Sequence, residues 1–196
     1  PEAILGDGKT AREVADLAET ALETTGHVVV TRLRDDDVDP VRAHLSETHP
    51  DTSFQLEERA GVLVAHAGDY DRPSVEASVA VVSAGTADAV PAGEAAMVAR
   101  EMGARVDRVR DVGVAAITRL TDRVEALRQH DVVVVAAGRE GALPTVVAGL
   151  VDVPVIGLPV STGYGQGGAG EAALLGMLQS CTALTVVNVD AGFTAG

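Results

Sequence analysis

The chain has 196 residues, 46% of them apolar and 2% aromatic, with a formal charge of −14. This is enough for one sizeable domain, or one domain with a small lobe, around a core of Val, Ala, Leu and Ile. The acidic balance excludes a nucleic-acid binder and an anionic-membrane binder, no apolar run of about 20 residues offers a transmembrane helix, and the single cysteine excludes an intrachain disulfide and fits a reducing cytoplasm.

No signal peptide is visible. The start at Pro1 without Met and the stop after "DAGFTAG" point to missing ends. A charge of this size destabilises a compact chain through self-repulsion, and concentrated salt screens it. The expectation is a salt-adapted protein. Full fold and activity at low ionic strength, with no gain in molar salt, would refute it.

In chain order, "KTAREVADLAETALETTG" places Val14, Leu17, Ala18, Ala21 and Leu22 on one face of a helix that Gly26 stops. "HVVVTR" reads as a strand, "LRDDDVDP" as an acidic turn, and "VRAHLSETHP" as a short helix ended by Pro50. "FQLEERAGVLVAH" reads as two short strands split at Gly61. Residues 1–72 therefore form a small α+β lobe.

Residues 73–196 change pattern. "ASVAVVSAG", "ARVDRV", "DVVVVAAG", "DVPVIGLPV" and "LTVVNVD" read as strands, the more apolar of them buried on both faces. Between them, "VPAGEAAMVAREMG", "AAITRLTDRVEALRQH", "ALPTVVAGL" and "GEAALLGMLQS" read as helices. The alternation predicts an α/β fold, a three-layer doubly wound parallel sheet.

Ligands of such sheets bind beyond the carboxyl ends of the strands. Those ends here are small, polar and Gly-rich. The first offers Ser83, Gly85, Thr86 and Asp88, which serve either as helix N-caps or as ribose and phosphate contacts. The next offers Gly138, Glu140 and Gly141, and the last two offer Ser161 with Gly163 and Asn188 with Asp190. Glu140 follows the most apolar strand. It is either a general acid/base with a pKa raised by desolvation or a loop carboxylate paired with Arg139.

Several motifs are set aside. "GQGGAG" spells a dinucleotide fingerprint, but its first glycine falls too far beyond the strand and it sits in the last βα unit. The segment is either a helix N-terminus that can hold a phosphate or simply a mobile loop. "GDGKT" is not a P-loop, because Ala3 stands where a glycine is needed and no strand is expected before it. The five histidines form no zinc-spaced cluster. Asp35, Asp36 and Asp37 lack calcium-loop spacing. Cys181 follows Gln179-Ser180 at a helix end, and is either a small core residue or a reactive thiol.

"SAGTADAVPAGEAA", "DVGVAAITRL", "VVVVAAGREGALPTVVAGLVDVPVIGLPVSTGYG" and "ALLGMLQSCTALTVVNVDAGF" closely resemble the LarB family. The core of that family is similar to PurE, the aminoimidazole ribonucleotide carboxylase/mutase. "PEAILGDGKT" and "VVVTR" resemble its N-terminal lobe, which PurE lacks. The resemblance implies a PurE-like, flavodoxin-like catalytic domain behind a small lobe. It implies carboxylation of nicotinic acid adenine dinucleotide at C5 of the ring, with cleavage to pyridinium-3,5-biscarboxylic acid mononucleotide and AMP. This is the first step towards the nickel-pincer nucleotide cofactor. CO2 or bicarbonate and Mg2+ are implied, with no ATP and no tightly bound organic cofactor.

On this resemblance Cys181, in "LLGMLQSC", is the nucleophile and Glu140 the base. Ser83, Thr86 and Asp88 match the segment around a ligand's ribose and phosphate. Thr31 and Arg32 match the family's "TR", and arginine suits bidentate phosphate contact. The magnesium ligands are not implied. A homo-oligomer, an octamer by analogy, is implied, with a salt-sensitive interface. The chain departs from the family pattern at Thr118-Arg119, where His-Arg is usual, at Arg139, where methionine is usual, and at Ala191-Gly192, where Asn-Gly is usual. Two alternatives stand beside this reading: a PurE-type enzyme acting on aminoimidazole ribonucleotide, and a non-catalytic nucleotide-binding homologue. The first has no use for a thiol.

Overall fold

The computed structural model describes residues 3–196, which fall into two compact units, residues 3–73 and 74–196. The first unit holds strands β1 (Ala3–Leu5), β2 (His27–Thr31), β3 (Ser53–Glu57) and β4 (Val62–His66), with helices α1 (Ala11–Thr25) and α2 (Asp35–Thr48). Its sheet order is β1-β2-β4-β3, with β1 parallel to β2 and the other pairs antiparallel.

The α1 boundaries are written in local chemistry. The Thr10 hydroxyl accepts from the Glu13 N–H while Glu13 accepts from the Thr10 N–H, a reciprocal cap. Gly26 takes a left-handed conformation, φ 75°, and closes the helix. Val14, Ala15, Ala18 and Leu22 face the core, whereas Leu17, expected there, is 46% exposed. At 3.6 residues per turn it falls on the flank of that stripe.

Two expectations in this unit are corrected. The acidic run is no separate turn: Asp35, Asp36 and Asp37 form the first turn of α2, where carboxylates oppose the positive end of the helix dipole. Arg34 also bonds Asp37, at 2.6 Å. Pro40 is accommodated one turn further in, at the cost of one backbone hydrogen bond. A strand, β1, does precede "GDGKT". The P-loop remains excluded, because Ala3 lies inside that strand, Thr10 caps α1 and Lys9 Nζ donates to the Leu5 carbonyl at 2.7 Å.

The second unit holds β5 (Ser78–Ser83), β6 (Arg105–Val109), β7 (Val132–Ala137), β8 (Val155–Pro159) and β9 (Leu184–Val186). Its helices are α3 (Ala89–Glu101), α4 (Ile117–Thr121), α5 (Val124–Leu127), α6 (Ala142–Leu150), α7 (Glu171–Leu178) and α8 (Gly192–Ala195). The sheet is parallel throughout, ordered β6-β5-β7-β8-β9. Renumbered within the sheet this is 2-1-3-4-5, the flavodoxin-like order.

The strands alternate sides. Val133, Val135 and Ala137 pack with Leu120, Leu127, Leu143, Val147 and Met177 of α4 to α7. Val134 and Ala136 pack with Ala92, Ala95 and Ala96 of α3 and Ala195 of α8. Both faces are covered, which is why β7 reads as an unbroken apolar run. At the opposite edge of the sheet, Asp131 accepts from the Ser78 N–H and hydroxyl, tying the starts of β5 and β7.

Three further elements differ from the sequence reading. The helix expected over "AAITRLTDRVEALRQH" is broken into a single 3-10 turn (Val114–Ala116), α4 and α5. Leu120 and Leu127 are its only fully buried anchors, too few to hold one continuous amphipathic stripe. The last strand stops at Val186, before Asn188. Helix α8 follows, and its small residues allow close approach to α3: a Cβ on Gly192 would lie 2.4 Å from the Pro91 carbonyl oxygen. No helix among the described residues is long and apolar enough to cross a membrane.

Candidate active site

A cavity of about 360 Å³ opens where the strand order reverses, between the carboxyl ends of β5 and β7. Its walls are Ala84, Gly85 and Asp88 after β5, Gly113 to Ala115 after β6, and the segment from Ala137 to Leu143 after β7. This is the crevice in which α/β sheets of this order bind ligands, and its size suits a small organic molecule or part of a larger one.

Asp88 holds the cavity together. One carboxylate oxygen accepts from the Gly85 N–H at 2.8 Å and the other from the Gly138 N–H at 2.8 Å. It thus clips the β5 loop to the β7 loop across the switch point. The N-capping expectation is corrected: Asp88 stands at the cap position of α3 but makes no side-chain cap bond, because both oxygens are committed to the clip. Burial pushes its pKa above the ordinary aspartate value, opposed by the Gly85 and Gly138 N–H groups and the Thr162 hydroxyl.

A raised folded pKa means that Asp88 contributes most to stability below the unfolded value of about 3.9, and that this contribution is lost as pH rises through the folded value. Asp88→Asn removes the titration. It also turns an amide N–H towards one of the two donors, leaving about 1–3 kcal/mol of unmet hydrogen bonding. The difference in urea midpoint between the two proteins is therefore expected to widen on acidification through that window. A difference that stays flat with pH would contradict it.

The glycines here are steric requirements. Gly141, φ 64°, lies where a Cβ would meet the Ala173 carbonyl oxygen at 2.6 Å. Gly176 lies where a Cβ would sit 2.4 Å from the Glu140 carbonyl oxygen. The Glu140 loop is therefore seated directly on α7. Its Glu140 side chain is exposed on the cavity wall. The expected Arg139–Glu140 pair does not form among the described residues. The Arg139 guanidinium instead lies 4.2 Å from the centroid of the Tyr164 ring, on the loop after β8.

The remaining candidates are dispersed. Ser83 is 2% exposed and lines a separate void of about 10 Å³ beneath α3, room for one water. Thr86 is exposed and does not line the cavity. The Ser161 N–H donates to Asp190 at 2.9 Å, joining the loops after β8 and β9. Gly163 packs on Arg139. Asn188 is exposed and accepts from the Val189 N–H. Thr31 ends β2 and Arg32 follows it with φ 52°, both in the first unit.

Cys181 is exposed and lies in the turn between α7 and β9, outside the cavity lining. Ser180 beside it bonds Thr145 of α6 at 3.0 Å and Thr182 at 2.7 Å, which pins that turn. Thr118 is exposed on α4, and Arg119 pairs with Asp111.

The histidines have other partners. His130 bonds Asp107 and the Ala126 carbonyl, and His27 and His66 both stack on Tyr70. His44 bonds Glu19 at 2.9 Å and lies 4.0 Å from Asp16. That three-residue group is the one set among the described residues whose ligand atoms converge within 4.8 Å. It lies in the first unit and is already occupied by ion pairing, Arg12 with Asp16 included. In the cavity, Glu140 is the one carboxylate whose oxygens are uncommitted. This donor set does not fit a resident magnesium ion.

Tyr164 and one wall of the cavity went unnoticed in the sequence. Tyr164 carries a faint signal as one of only two tyrosines, set in a Gly-rich loop. The Gly113 to Ala115 wall has none, since only the sheet order brings it beside β5.

The second unit thus joins a flavodoxin-like parallel sheet to a switch-point cavity whose mostly small and apolar wall carries Asp88, Arg139 and Glu140. Residues 78–196 match the family model described as AIR carboxylase, and residues 1–67 match that described as LarB/PurE-like N-terminal domain. An uncharacterized protein of Methanocaldococcus jannaschii is 34% identical over 201 residues, covering 100% of this chain and 76% of the relative. The chain belongs to the LarB family.

Proposed function

We propose that the protein carboxylates nicotinic acid adenine dinucleotide at C5 of the pyridinium ring and cleaves its phosphoanhydride. The products would be pyridinium-3,5-biscarboxylic acid mononucleotide and AMP. The observation that carries this reading is the pairing of Glu140, exposed on the switch-point cavity, with the exposed thiol of Cys181 at the end of the helix on which the Glu140 loop is seated.

The chemistry needs both groups. C5 of a pyridinium ring is electron-poor and does not attack CO2. Addition of the Cys181 thiolate to C4 forms a C–S bond and moves the ring electrons to give a neutral dihydropyridine, whose C5 is an enamine carbon. C5 then attacks CO2, forming the C–C bond and leaving a cation at the ring nitrogen. Glu140 removes the C5 proton, the C–S bond breaks, and the aromatic ring returns with the thiolate. Water cleaves the phosphoanhydride in a separate step. Magnesium enters as the companion of the substrate's pyrophosphate, in keeping with its preference for phosphate and water ligands.

Cys181 lies outside the cavity of a single chain, and Leu175 and Leu178 of α7 are 51% and 58% exposed beside it. This supports a homo-oligomer in which a second copy covers that surface and encloses the thiol. The test is incubation of the protein in high salt with the dinucleotide, labelled bicarbonate and Mg2+, with products followed by mass spectrometry. Labelled biscarboxylated mononucleotide and AMP are expected. Turnover of aminoimidazole ribonucleotide instead would make this a purine enzyme.

A further inference from the structure

Arg139 is the one cationic side chain on the cavity wall of a chain with net charge −14. Its backbone is held at φ 54°, a region that costs a non-glycine residue energy. The loop after β8 packs flat against it: a Cβ on Gly163 would lie 3.6 Å from its nitrogen and 3.9 Å from its Cδ. The guanidinium carbon lies over the Tyr164 ring, 4.2 Å from its centroid, and Tyr164 is itself 83% exposed and makes no other ring contact among the described residues.

A ring beneath the cation attracts its charge without accepting its N–H donors in ordinary hydrogen bonds. Among the described residues no carboxylate takes them. Their fork matches a carboxylate, which accepts two parallel hydrogen bonds. Arg139 directly precedes Glu140. In the reading above Glu140 takes the proton from the pyridinium ring, so its neighbour stands at the ring end of the substrate rather than the phosphate end. The anionic group a nicotinate ring carries there is its 3-carboxylate.

We infer that Arg139, steadied by Tyr164, is the specificity residue for the ring carboxylate and selects a nicotinate-type dinucleotide over its carboxamide counterpart. This rests on the carboxylase reading of the same site. A carboxamide presents one acceptor and one N–H donor. It therefore leaves half of the fork unpaired and sets its own N–H against a cation.

The test is direct binding by calorimetry of nicotinic acid adenine dinucleotide and of nicotinamide adenine dinucleotide. It uses the full chain in high salt with Cys181→Ser to prevent covalent capture. A preference of about tenfold or more for the carboxylate form is expected. Arg139→Met should bring the two affinities within about threefold by weakening the carboxylate form alone, Arg139→Lys should keep part of the preference, and Tyr164→Leu should reduce it, with unfolding midpoints checked for each. Equal affinity in the parent, loss of affinity for both ligands alike in Arg139→Met, or no binding of either would overturn it. A phosphate role for Arg139 would give the second of these results. Carboxylation by the wild type without discrimination would sink this inference and leave the carboxylase reading standing. Discrimination without carboxylation would do the reverse.

Discussion

Gly138→Ala is expected to abolish turnover and to destabilise the second unit by about 2–3 kcal/mol. A Cβ there would lie 2.3 Å from the Thr162 carbonyl oxygen and 3.2 Å from both the Thr162 hydroxyl and an Asp88 oxygen. The first contact is with backbone, so no side-chain rotation relieves it. Either the loop after β7 or the loop after β8 must move. Moving the former pulls the Gly138 N–H from Asp88, 2.8 Å away, and leaves a buried carboxylate short of a donor. Moving the latter shifts Gly163 and Tyr164 off Arg139. Gly149→Ala is the contrast. Gly149 lies in α6, and its Cβ would meet only a Thr182 methyl at 3.9 Å. That change should stabilise by about 0.4–1 kcal/mol, because it restricts the unfolded chain and suits a helix. Urea unfolding and turnover of both variants check the pair. A Gly138→Ala protein as active and stable as the parent would show that the two loops are not interlocked.

Cys181→Ala is expected to reduce carboxylation by about a thousandfold or more, while leaving the unfolding midpoint close to that of the parent. The asymmetry follows from its position. The thiol is exposed, so its removal opens no cavity, and the turn is held by Ser180 with Thr145 and Thr182. On the proposed mechanism the chemical loss is large, because without a nucleophile at C4 the ring carbon has no electron pair to offer CO2. Glu140→Gln should cost about 10² to 10⁴ in rate, the usual worth of a positioned base. The variants also separate by intermediate. Glu140→Gln retains the thiol and should accumulate a covalent adduct visible by intact-protein mass spectrometry, whereas Cys181→Ala should show none. Carboxylation at parental rate in Cys181→Ala would remove the thiol from the mechanism and return the chain to chemistry on a substrate that is already nucleophilic.

The elements of the second unit are legible in the chain because burial on both faces writes apolar runs and the connecting helices write their own period. Val132–Ala137 is the plainest instance. The breaks are harder to read. Residues from Ala115 to His130 have helix-forming composition throughout, yet only Leu120 and Leu127 find full burial. Tertiary contact, not propensity, decides where such a segment holds. The α2 acidic turn shows the reverse: three aspartates suggest a loop by polarity, but a helix N-terminus is where carboxylates are favourable.

By itself the sequence determined the α/β class, the parallel sheet and the Gly-rich strand ends, because these depend on residue type and near-neighbour spacing. Only the tertiary structure decided the order β6-β5-β7-β8-β9, and with it which strand ends face each other. That order puts Asp88 between Gly85 and Gly138, turns Ser83 away beneath α3, sets Arg139 over Tyr164, and leaves Cys181 on the outside of the chain. None of these follows from local pattern. Each depends on which strand ends the backbone path brings together, or leaves at the surface, when it buries both faces of the sheet at once.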